Sequence, residues 1–110
     1  MSVTIAITGK GGVGKTTIAA LMVQCLVRLG ETPVLAVDAD SNANLHEALG
    51  VSYDASIGGI REEALQHARD LVGVSKQEFL DLRVQEALVE QAGYDLIVMG
   101  RPEGPGCYCY

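Results

Sequence analysis

Nine residues, GKGGVGKTT at positions 9–17, constrain this 110-residue chain more than any other stretch. Gly9, Gly14, Lys15 and Thr16 fit the spacing G-x-x-x-x-G-K-[ST], in which every residue type has a chemical reason to be present. Glycines let backbone N–H groups turn inward around phosphate oxygens without a side-chain clash. Lys15 is long enough to reach β- and γ-phosphates, and the Thr16 hydroxyl is a hard oxygen donor suited to Mg²⁺. A helix opening near Lys15 aims its positive end at the same anion. The flanks supply the context the pattern needs. SVTIAIT, residues 2–8, is rich in β-branched residues and too short for a helix, so it reads as a buried strand feeding the loop. A glycine-rich turn that binds nothing is the alternative, and the order strand, turn, helix argues against it.

After the loop, Ile18, Leu21, Met22, Cys25, Leu26 and Leu29 recur at helical spacing, and Gly30 stops the helix. Cys25 and Met22 lie on that stripe and read as core residues. Thr32-Pro33 turns the chain, and VLAVD, residues 34–38, reads as a second buried strand parallel to the first, because a helix crosses between them. At its carboxyl end stands DADSNANL, residues 38–45, where open α/β sheets place ligand chemistry. Asp38 and Asp40 at i and i+2 could serve a metal and an attacking water; the plainer alternative is an acidic loop capping a helix over 43–49.

Residues 45–50 suggest a short helix with a glycine stop, and 51–59 a loop able to move with nucleotide state. Helices are expected over 60–72 and 76–92, the second opened by Ser75 with Glu78 three residues on, a capping box. Ile60, Ala64, Leu65, Ala68, Leu71 and Val72 mark one packing face, and Leu80, Val84, Ala87, Leu88 and Gln91 another. His46 and His67 are lone imidazoles and read as surface or core histidines, not ligands. Gly93 breaks the last helix, and YDLIVM, residues 94–99, is a third strand. Asp95 opens that strand, whereas a Walker B acid would close one, so no Walker B acid is found.

Composition removes several function classes. With 8 Lys and Arg against 14 Asp and Glu, the net charge of -6 leaves no basic stripe, so direct nucleic-acid binding is not expected. The chain has no apolar run of membrane-spanning length, and its start lacks a secretion signal, so the expected location is cytoplasmic. In that setting the 3 cysteines are thiols and not a disulfide framework. Cys107 and Cys109, in RPEGPGCYCY at 101–110, stand two residues apart after a Pro/Gly-rich turn. Paired as thiolates they offer two soft ligands, half of a four-coordinate site, and a two-fold axis would supply the other half for Zn²⁺, Ni²⁺ or Cu⁺. The spacing alone fits a pair of buried thiols equally well.

Two resemblances sharpen this. K-G-G-x-G-K-T, residues 10–16, resembles the deviant Walker A motif of the MinD/ParA/NifH group of ATPases. That resemblance implies an α/β P-loop NTPase fold with a parallel β-sheet core flanked by helices. It implies a nucleotide loop of Gly9, Lys10, Gly11, Gly12, Val13, Gly14, Lys15, Thr16 and Thr17, with Lys10 reaching across a homodimer to the partner's phosphates. It further implies that Asp38 supports the Mg²⁺ shell begun by Thr16 and that Asp40 positions the water, so that Lys10, Lys15 and Asp40 serve hydrolysis of ATP. E-G-P-G-C-Y-C-Y, residues 103–110, added to these motifs, looks like the CooC-type ATPases that mature nickel carbon monoxide dehydrogenase. There the C-x-C pairs of two subunits hold one Ni²⁺ or Zn²⁺, which makes Cys107 and Cys109 the implied metal ligands and the nickel enzyme the implied client. Such proteins continue well past the cysteine motif, so residues 1–110 are expected to be the N-terminal portion of one ATPase domain, its sheet incomplete and some apolar surface bare, with the γ-phosphate-sensing switch lying further on. Competing outputs are a MinD/ParA-type positioning or partition ATPase, an iron–sulfur carrier of the NifH or Mrp kind, and a nucleotide- or metal-binding segment without turnover.

Overall fold

The computed structural model describes residues 2–10, 14–66 and 75–100, and for residues 65, 66 and 76 the backbone alone. In chain order the elements are α1 (Lys15–Arg28), β1 (Val34–Asp38), α2 (Leu45–Leu49), α3 (Ile57–Gln66), α4 (Lys76–Ala87), β2 (Val89–Gln91) and β3 (Tyr94–Val98). The sheet order is β1-β3-β2. β1 and β3 run parallel, with Val34 opposite Tyr94 and Asp38 opposite Val98. β2 is antiparallel to β3, pairing Val89 with Leu96 and Gln91 with Tyr94.

Local chemistry accounts for most of the boundaries. α1 ends where Gly30, at φ 77°, turns left-handed and the N–H of Glu31 reaches back to the carbonyl of Leu26 at 3.0 Å. At the start of α4 the Ser75 hydroxyl accepts the N–H of Glu78 at 3.0 Å, the expected cap. Gly93, at φ 89°, closes the hairpin from β2 to β3, and a Cβ there would lie 2.7 Å from Val27 Cγ1. Only glycine meets both demands without displacement.

Two apolar clusters form among the described residues. Ala20, Val23, Ala36, Leu45, Leu96 and Val98 join α1 and α2 to the sheet. Ile60, Ala64, Leu80 and Ala87 join α3 to α4. The same helix pair is tied by Arg83 Nε donating to Glu63 Oε2 at 2.8 Å. Hydrogen bonds to Glu63 and then Glu86 hold the Arg83 guanidinium above its ordinary pKa. The pair is partly exposed and worth no more than about 1 kcal/mol.

Four expectations are corrected. Residues 2–10 carry no strand, and Val3 and Ile5 are 78% and 56% exposed, so the first buried strand is not formed. An apolar run becomes a strand only when a neighbour takes its N–H and C=O groups, and among the described residues β1 pairs with β3 alone. The expected parallel pairing is present in β1–β3, and antiparallel β2 makes the sheet mixed.

On α1 the buried positions are Ala20 and Val23, while Ile18, Leu21 and Leu29 are exposed and Cys25 is a free, exposed thiol. The helix is apolar around most of its circumference. Its small-residue face is the one that fits the sheet, and the larger side chains remain outside it.

The helix expected over 60–72 begins at Ile57, because Ser56 initiates it: Ser56 Oγ accepts from the N–H of Gly59 at 3.1 Å and the Ser56 carbonyl from the N–H of Ile60 at 3.0 Å. Its expected end, with Ala68, Leu71 and Val72, lies outside the described residues, as does His67. The helix expected to reach 92 stops at Ala87, since Val89–Gln91 pair with β3. Leu35 and Val37, 60% and 50% exposed, leave one face of β1 bare.

Candidate phosphate and metal site

The N-terminus of α1 and the carboxyl end of β1 open onto one cleft of about 1490 Å³, and Gly9, Lys15, Thr16, Asp38, Asp40 and Asn44 are among the residues lining it. Gly14 is the N-cap of α1, at φ 88° and ψ 17°, with open space where a Cβ would stand. A left-handed residue here turns the chain into the helix, and the missing side chain lets an anion approach the free N–H groups of the first turn. No acidic residue occupies that turn, so nothing there offsets the positive end of the helix dipole.

Asp38 is 6% exposed, and its burial is chemically satisfied. One carboxylate oxygen accepts the N–H of Asp40 at 3.1 Å, and the other accepts the N–H of Leu45 at 3.0 Å. Its carbonyl accepts the N–H of Met99 at 2.9 Å, which carries the β1–β3 ladder to the end of the strand. A buried carboxylate without such donors would be costly. Asp38 thereby pins both ends of the 40–45 loop.

Asp40 is exposed, and its side chain accepts the N–H of Asn42 at 3.0 Å. The Thr16 hydroxyl donates to Asn44 Oδ1 at 2.9 Å, joining the first turn of α1 to the residue before α2. These groups are all oxygen donors, the class that Mg²⁺ selects, and each carboxylate oxygen of Asp38 keeps a second lone pair after its backbone bond. Hard oxygen donors of this kind are compatible with Mg²⁺.

The structure thus brings Gly9, Lys15, Thr16, Asp38 and Asp40 to one cleft. Lys10 and Thr17 are exposed and are not among its lining residues. Gly11, Gly12, Val13, Cys107 and Cys109 lie outside the described residues. Among the described residues no group of three or more His, Cys, Asp or Glu side chains could hold a metal.

Sequence reading gave Asn44 no individual role. An asparagine directly before a helix suggests a cap that bonds its own helix. Here Asp38 takes the N–H of Leu45, and Asn44 makes no side-chain cap bond. No local spacing could have found it, because its bond joins residues 28 apart in sequence.

Residues 4–98 match the family described as the CobQ/CobB/MinD/ParA nucleotide binding domain. An uncharacterised ATP-binding protein of Methanocaldococcus jannaschii is 47% identical over 96% of this chain and 42% of its own length. The carbon monoxide dehydrogenase accessory protein CooC of Rhodospirillum rubrum is 34% identical over 96% of this chain and 44% of its own. The chromosome-partitioning ATPase Soj of Thermus thermophilus is 34% identical over 84% and 43%. The chain spans less than half the length of these curated relatives. Among the described residues no helix is long and apolar enough to cross a membrane.

Proposed function

The chain belongs to the CobQ/CobB/MinD/ParA nucleotide binding domain family, and from that premise we propose that it binds ATP with Mg²⁺ at the cleft and acts, within a longer polypeptide, as a nickel-insertion factor for carbon monoxide dehydrogenase. The observation that carries the reading is the convergence of Lys15 and Thr16, at the open N-terminus of α1, with Asp38 and Asp40 from the end of β1.

In this reading the loop from Gly9 to Thr17, with Gly11, Gly12, Val13 and Gly14, wraps the phosphates. Lys15 neutralises charge on them, and Thr16 and Asp38 hold Mg²⁺. Asp40 orients the attacking water, and Lys10 reaches the partner's phosphates in a homodimer. Catalysis would come chiefly from positioning and charge neutralisation. Hydrolysis belongs to the longer protein, of which residues 1–110 form the N-terminal part of a single cytoplasmic ATPase domain.

The choice of client rests on Cys107 and Cys109 together with the 34% identity to a carbon monoxide dehydrogenase accessory protein. The 47% identical relative is named for ATP binding alone and adds no client. A second reading, a partition-type switch, is favoured by the similarity to Soj.

The test is anaerobic titration of Ni²⁺ and Zn²⁺ into the protein and into the Cys107→Ser/Cys109→Ser variant, with native mass recorded. One metal per two chains, a thiolate charge-transfer band and loss of both in the variant are expected. Equal metal binding by the variant would remove the maturation role and leave a nucleotide switch of another output.

A further inference from the structure

Asn44 occupies the N-cap position of α2 yet gives its side chain to the opposite wall of the cleft. It makes no side-chain cap bond, and the first N–H of the helix, that of Leu45, goes to Asp38 Oδ2 at 3.0 Å. Its amide oxygen is free to accept the Thr16 hydroxyl at 2.9 Å, across 28 residues of sequence. A threonine hydroxyl has one proton and two lone pairs. A donor at this place would consume a lone pair and leave the proton loose to face a cation. An acceptor does the reverse: it draws the proton away and leaves the lone pairs for the metal.

We propose that Asn44 is a positioning residue that orients the Thr16 hydroxyl for Mg²⁺ and ties occupancy of the metal to helix α2. The inference rests on the ATP·Mg²⁺ reading above and deepens it. Asn44 acts through Thr16 and does not touch the metal. Its place one residue before Leu45, which is buried in the sheet cluster, makes a shift of Asn44 a shift of the start of α2. Side chains that orient a metal ligand in this way commonly alter metal affinity by about 10–100-fold when removed.

The experiment is calorimetric titration of ADP and ATP, each with and without Mg²⁺, into the parent chain, Asn44→Ala, Asn44→Asp, Thr16→Ala and the Thr16→Ala/Asn44→Ala double variant. In the parent, Mg²⁺ strengthens nucleotide binding. Asn44→Ala is expected to lose about tenfold of that enhancement, with Mg²⁺-free affinity within about twofold of the parent, since no phosphate contact is removed. Asn44→Asp keeps the acceptor and is expected to retain the enhancement, which also serves if the alanine variant folds poorly. The double variant should be no worse than Thr16→Ala, because the two residues act as one unit. An unchanged Mg²⁺ enhancement in Asn44→Ala would overturn the proposal. So would an equal loss with and without Mg²⁺, which marks a structural role alone. A parent chain that binds neither nucleotide would instead overturn the nucleotide reading, and this inference with it.

Discussion

The two sides of the cleft are built from runs of the same character that end differently. SVTIAIT, residues 2–8, and VLAVD, β1, are both short, apolar and rich in β-branched residues, and both line the cleft. β1 pairs with β3 along its whole length and buries Ala36 and Asp38 at 7% and 6% exposure. The run 2–8 forms no strand, and its Val3 is 78% exposed. The difference lies in the neighbour, not in the residues. β-propensity expresses fit to a half-buried pleated surface, and without a partner strand it has nothing to act on.

That contrast can be broken or sharpened by substitution, read as urea-unfolding midpoints on the chain. The largest effect is expected from Leu96→Ala, in the strand that gives β1 its neighbour. Leu96 is fully buried, and its truncation should cost about 3 kcal/mol, whereas Ile5→Ala on the other wall should cost under about 0.5 kcal/mol. Comparable losses at the two sites would show that the two walls are equally packed, contrary to the account.

Asp38→Ala comes next. It strands the N–H groups of Asp40 and Leu45 and should cost about 2–3 kcal/mol, with Asp38→Asn, which keeps one acceptor, falling between it and the parent. If Asp38→Asn were as stable as the parent, the pinning of both loop ends would not matter to the fold.

Gly93→Ala combines a strained φ with a clash against Val27, and a loss of about 2 kcal/mol is expected from the two together. A neutral result would mean that the hairpin end moves freely from α1. A smaller loss than these is expected away from both walls: Ser75→Ala removes the cap of α4 and should cost about 1 kcal/mol, while leaving nucleotide affinity unchanged.

How legible each part was in the sequence follows from what each part depends on. The Ser75 cap, the Gly30 stop and the Ile60–Ala64 packing face are local, set within a few residues, and periodicity finds them. β1, α2 and β3 were legible as runs bounded by turn residues, and Asp38 and Asp40 as acids at a strand's end. The β2 hairpin was hidden because Val89–Gln91 continue a helical apolar pattern and are drawn out of it by pairing with β3, a long-range effect. The buried face of α1 was misread because a helix apolar nearly all round does not say which side the sheet will choose. The Thr16–Asn44 bond spans two elements and leaves no trace in the spacing of either.

The central claim is that the cleft is a Mg²⁺–nucleotide site centred on Lys15 and Thr16. Its most direct test is equilibrium titration of ATP with Mg²⁺ into the parent chain and into Lys15→Ala. The account predicts one nucleotide per chain, with affinity reduced at least about tenfold in the variant, as befits loss of a charge that the phosphates face. Equal affinity in Lys15→Ala, or a parent chain that binds no nucleotide, would contradict it.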